Sequence, residues 1–155
     1  ERLAKLSKSK SNPAEVSELS VTAEALLGTL ERLDPGDLLL CLQHVFSAGS
    51  RRLARHPQLL EVVERIGDQV ATSAADFSTP QLILAMESFA DIRLQYHLLF
   101  ESVLLELLRR SPSSGLSWGQ VMTVLESFAA VRMRLPELSQ LYSRLRRQQE
   151  LARLP

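Results

Sequence analysis

The sequence predicts an all-α fold, an α-solenoid of about three helical-hairpin repeats containing about seven antiparallel helices. Three observations carry that expectation. The stretch FSTPQLILAMESFADIR, residues 77–93, returns as LSWGQVMTVLESFAAVR at 116–132, with seven of seventeen positions identical. A repeat of this kind is how a chain encodes one structural unit twice. Each copy opens on a helix-start signal, and no stretch alternates apolar with polar residues as a half-buried strand would.

Residues 1–12 hold all three lysines, Lys5, Lys8 and Lys10, and read as a flexible basic leader. After Pro13, the spacing of Val16, Leu19, Ala23, Leu26, Leu27 and Leu30 is helical and suggests the second helix of a partial unit over 13–32. LDPGDLLLCLQHVFSAGSR, beginning at Leu33, aligns with Phe77 at an offset of 44, and Phe77 aligns with Leu116 at 39. One domain, 13–155, thus contains repeats at about 33–76, 77–115 and 116–155.

Every repeat begins with an apolar residue and a cap residue, Asp34, Ser78 or Ser117, with Asp37, Gln81 or Gln120 three positions later. The two Ser/Gln pairs are capping boxes, in which the serine oxygen and the glutamine side chain each satisfy a backbone N–H of the first turn. Pro35 stands at a first helical position, where its missing donor costs nothing. Leu82, Ala85, Met86, Phe89 and Ile92 share one face, matched by Val121, Val124, Leu125, Phe128 and Val131. These patterns predict first, or A, helices at roughly 35–48, 79–92 and 118–131. Second, or B, helices are marked by Leu59, Leu60, Val63, Ile66 and Val70, then by Leu98, Leu99, Val103, Leu104 and Leu107, then by Leu138, Leu141, Leu145 and Leu151. Pro57 and Pro136 lie at or near the first turn of their B helices, and SPSSG at 111–115 closes the second repeat.

A chain of 155 residues is long enough to bury roughly 70% of its unfolded surface. Apolar residues make up 45% and charged residues 23%, and the 18 basic residues balance 18 acidic ones, so net charge selects no partner. The single cysteine, Cys41, forms no internal disulfide, which suits a reducing compartment. No membrane insertion is expected, because the most apolar run, Leu98 to Leu108, is interrupted by Glu101, Ser102 and Glu106. A start at Glu1 rather than Met reads as a processed product or a piece of something longer.

No glycine-rich phosphate loop, nucleophile elbow, HExxH or paired Cys/His ligand set occurs. His44, His56 and His97 are scattered, without a nucleophile or an orienting carboxylate at recognisable spacing. The expectation is a protein that is not an enzyme, with no metal, no cofactor and no small-molecule substrate. Cys41 aligns with Ala85 and Val124 and takes a small core position, whereas Trp118 is expected to pack against the SPSSG joint.

Charge is unevenly distributed. From Glu15 to Asp37 six acids face one arginine, and from Arg132 to Pro155 six arginines face two glutamates. Basic residues recur after each A helix: Arg51, Arg52 and Arg55, then Arg93, then Arg132 and Arg134. Stacked repeats would align these in a basic strip suited to a phosphate backbone. The helix macrodipole also favours a cation there, by a few tenths to about 1 kcal/mol, and for one arginine that reason suffices. Arg109 and Arg110, or Arg144, Arg146 and Arg147, would mark another edge.

The pattern S-x-x-Q-L-x-x-x-x-E-S-F-A-x-x-R in STPQLILAMESFADIR resembles the repeated unit of the octotricopeptide and heptatricopeptide class, which includes the helical regions of FAST-kinase-like and RAP-domain proteins. Ser78, Gln81, Leu82, Phe89 and Ala90 fit its outline, as do Ser117, Gln120, Val121, Phe128 and Ala129, and the likeness spans about residues 33–150. What the resemblance implies is organellar RNA biology: a mitochondrial matrix protein that contacts the backbone of RNA, rRNA above all, beside neighbouring proteins in a ribonucleoprotein such as the mitochondrial ribosome. No RAP domain is recognisable, and the first unit has Val45 and Phe46 where the others have Phe-Ala. The alternative is a protein–protein scaffold or assembly subunit of a mitochondrial complex without RNA contact.

Overall fold

The computed structural model describes residues 13–47, 53, 55–111 and 116–154, with side chains described from residue 21 onward. The leader, Arg51, Arg52, most of the SPSSG joint and the side chains of Val16 and Leu19 lie outside the described residues. The described residues form seven α-helices and no strand: α1 Pro13–Thr29, α2 Pro35–Ser47, α3 Pro57–Thr72, α4 Thr79–Asp91, α5 His97–Arg110, α6 Trp118–Ala130 and α7 Glu137–Ala152. Short 3-10 turns at Leu30–Arg32 and Ala74–Asp76 lead toward α2 and α4.

Local chemistry explains the helix starts. In α4 and α6 the cap serine accepts from the N–H of Gln81 or Gln120, and the glutamine side chain returns to the cap N–H at 2.9 or 3.0 Å. Asp34 caps α2 by accepting from the N–H of Asp37 at 2.8 Å, without the return bond from the cap N–H to the N3 side chain that α4 and α6 have. A proline begins α2 and α3, where no intrahelical donor is required.

The helices lie in two rows. The A helices α2, α4 and α6 pack on one another in sequence, as do the B helices α1, α3, α5 and α7, and each A helix packs on the B helix that follows it. One continuous apolar core runs between the rows. Phe89 and Phe128 are wholly buried, as expected of them. Phe46 meets Phe89 edge-on at 5.4 Å and joins α2 to α4, while Phe100 meets Phe128 edge-on at 5.1 Å and joins α5 to α6.

Several expected core positions differ. Leu98 and Leu151 are largely exposed, whereas Phe100 and Leu108 are buried. Helix α5 is flanked by α3, α4 and α7, so its buried stripe is wider than its leucine spacing suggests and is turned away from Leu98. Cys41 is half-buried, packed against the core from its edge, and among the described residues no A helix precedes α2. Trp118, whose expected contact with the SPSSG joint lies mostly outside the described residues, sits tilted against Tyr142 with ring centres 5.9 Å apart, each residue 40% exposed.

Candidate nucleic-acid interface

The basic strip begins with how the A helices end. After α4, Ile92 leaves the helix and Arg93 takes the left-handed conformation, with φ 55°. Its N–H donates to the carbonyl of Ala90 at 2.9 Å, and the N–H of Leu94 donates to that of Phe89 at 2.9 Å. Together these form the paired closure of a Schellman motif. Helix α6 repeats it: Arg132 has φ 56°, its N–H reaches Ala129 at 3.0 Å, and Met133 reaches Phe128 at 3.0 Å. The apolar residue that follows each arginine is drawn toward the core, Leu94 partly and Met133 almost wholly.

These are the only two non-glycine residues with positive φ among the described residues. The conformation costs an L-residue roughly 1–2 kcal/mol, and glycine normally takes the position. By the offset of 44, the first repeat has Gly49 at this register, outside the described residues. Arginine therefore stands twice where backbone energetics favour glycine. Sequence reading marked both arginines but missed their conformation. The available signal was the run Phe-Ala-x-apolar-Arg-apolar at 89–94 and 128–133.

Arg55, Arg93, Arg132 and Arg134 are exposed, and no guanidinium of the four has a hydrogen bond or ion pair within the described residues. Helix α4 packs on α6, and Arg93 and Arg132 hold the same register just past the ends of these two neighbouring helices. Arg132 and Arg134 line one shallow concavity with Leu125, Phe128, Ala129, Met133 and Leu138. The edge is not uniformly basic. Glu87 and Asp91 line the neighbouring groove between α2 and α4. One unit further on, Ala130 takes the place of Asp91, so the positive character rises toward α6.

Of the five other arginines considered as an edge, Arg110 and Arg144 are held between elements, and Arg109 and Arg146 are paired on the surface. Arg110 donates to Glu106 at 2.7 Å, to Thr79 Oγ1 at 3.3 Å, and to the carbonyls of Ala74 and Ala75 at 3.2 Å each. It ties the end of α5 to the start of α4. Arg144 donates to the Leu108 carbonyl at 2.8 Å and to Ser111 Oγ at 3.1 Å, which fastens α7 to the last turn of α5. Arg109 pairs with Glu106 and Arg146 with Glu150. The Glu106 carboxyl is held down at about 2. The Arg109 hydrogen bond lowers it most; partial burial opposes this, and the Arg110 bond and both positive charges lower it further.

The histidines are not brought together. His44 is exposed on α2, His56 is buried ahead of α3, and His97 lies on the surface 3.6 Å from Glu101. Among the described residues no group of three His, Cys, Asp or Glu side chains is placed to hold a metal ion. No described helix is long and apolar enough to cross a membrane. Comparison with known proteins finds no family model, no curated protein and no solved structure that matches the chain.

Proposed function

We propose that this protein is a short α-solenoid that binds the phosphate backbone of RNA along the edge where its A helices end. The observation that carries the reading is the pair Arg93 and Arg132, exposed and unpaired within the described residues, held at the same register of adjacent helices in a conformation that favours glycine. A purely structural cap would be better served by glycine; a cation aimed at solvent is what arginine adds. Arg134 and Arg55 extend the same charge, and Arg51 and Arg52 do so by sequence. The likeness of the repeats to octotricopeptide-type units supplies the setting, a structural component of a mitochondrial ribonucleoprotein such as the ribosome.

The test is fluorescence anisotropy with labelled single-stranded RNA over a range of salt. Each phosphate contact contributes a slope of about −0.7 in log K against log salt. The double variant R93E/R132E is expected to lower affinity at least tenfold at low salt and to flatten that slope by about two contacts. An unchanged affinity and slope would remove the strip. The second reading, a protein scaffold without RNA contact, is favoured by a different feature, the open apolar sides of α2 and α6.

A further inference from the structure

A groove between α2 and α4 opens beside Arg93. It encloses about 440 Å³ and is lined by Gln43 and Phe46 of α2 and by Leu84, Glu87, Asp91 and Ile92 in and just after α4. That volume is in the range of small-ligand pockets. Helix α4 has an A helix on each side, α2 and α6, so the groove lies inside the row and not at either end of it. Asp91 and Ile92 lead straight into Arg93, so a strand held by that arginine passes the mouth of the groove.

The lining is an odd one for an edge that attracts phosphate. Glu87 and Asp91 stand one turn apart and exposed, and neither carboxylate has a hydrogen bond or ion pair within the described residues. Free carboxylates there repel a phosphate backbone unless they accept hydrogen bonds from some other part of the nucleotide. Glu87 also belongs to the repeat: Glu126 holds its register in α6 and is exposed too, whereas Asp91 gives way to Ala130.

An ionised carboxylate is an acceptor only, and its two oxygens can take two parallel donors. On the Watson–Crick edge, guanine alone among the four RNA bases offers such a pair, N1–H and the N2 amino group. Cytosine and adenine set one amino group beside an acceptor, and uracil sets one N–H between two carbonyls. Unstacked bases of single strands are read on that edge while their faces rest on flat apolar surface. Phe46, Leu84 and Ile92, all partly buried against the core, supply that surface here. We propose that the groove takes an unstacked guanine of single-stranded RNA, with Glu87 accepting from N1–H and N2–H and the adjoining phosphate on Arg93. The inference rests on the phosphate-binding reading and adds a base preference to it.

Fluorescence anisotropy tests it with labelled oligouridine and with the same strand carrying one central guanosine or one inosine, which lacks the N2 amino group. The chain is expected to bind the guanosine strand about tenfold more tightly than oligouridine, as a good bidentate base contact does, and the inosine strand with most of that gain lost. Glu87→Gln turns one acceptor oxygen into a donor and is expected to erase the preference. Asp91→Asn removes an equal charge from the same groove and is expected to raise the affinity for all three strands alike while keeping the preference. Salt-dependent binding without preference among the strands, or a preference that Glu87→Gln leaves intact, would overturn the inference and leave the phosphate-binding reading standing; the free carboxylates would then suit a cationic protein segment. Binding to none of the strands would overturn both.

Discussion

Arg93 and Arg132 show how one dihedral separates two explanations of a repeated residue. If these arginines serve only the helix end, glycine does the work at least as well, relieved of a left-handed cost of roughly 1–2 kcal/mol but with extra unfolded-state entropy of about 0.5–1. Arg93→Gly is therefore expected to match or exceed the wild-type stability, by up to about 1 kcal/mol in urea denaturation, while weakening the RNA binding we propose. A variant that loses stability and keeps its RNA affinity would assign the arginine to the backbone. Gly67 on α3 poses the opposite case. Helix propensity favours alanine there by about 1 kcal/mol. The added Cβ, however, would sit 2.8 Å from Tyr96 Cε1 and 3.1 Å from Phe89 Cζ. The Tyr96 ring is anchored because its hydroxyl donates to Asp68; burial first, and then this bond and the nearby carboxylates, raise the phenol to about 12. Overpacking costs about 1–3 kcal/mol, so Gly67→Ala is expected to lose roughly 1 kcal/mol net, read from thermal melting.

At the scale of the element, the A helices are defined by their two ends more than by their middles. Ser78→Ala and Ser117→Ala each remove one half of a capping box and are expected to cost about 1 kcal/mol, additively, since they serve separate helices. Equilibrium denaturation of the single and double variants checks both numbers. Helix α5 is fastened differently, by Glu106, whose side chain is 11% exposed and holds Arg109 and Arg110. A folded carboxyl at about 2, against 4.5 when free, binds its proton less readily than the unfolded chain does. Its stabilisation is therefore full above about pH 4.5 and is lost as pH falls toward 2. Glu106→Gln is expected to destabilise by about 1–3 kcal/mol at neutral pH and to flatten the acid limb of the stability profile below pH 4.5. An acid limb identical to wild type would show that the cluster contributes nothing.

Across the whole molecule, the repeat places Arg93 and Arg132 at one register of successive A helices. Capping pairs, apolar periods and proline positions placed the three A helices to within about one residue, because each signal is satisfied by neighbours in sequence. Phe89 and Phe128 were legible as core for the same reason. Leu98 and Leu108 were not, since which flank of α5 is covered depends on α3, α4 and α7 together. Nor was the division among the arginines. Arg93, Arg110, Arg132 and Arg144 look alike along the chain, yet Arg110 and Arg144 find carbonyls supplied by residues more than thirty positions away. The sequence by itself determined the helices, their caps and the period of the repeat, because those follow from local hydrogen bonding and helical spacing. Only the tertiary structure decided which cations are consumed in holding the rows together and which remain exposed, because that choice depends on the distant carbonyls and hydroxyls that packing brings within reach.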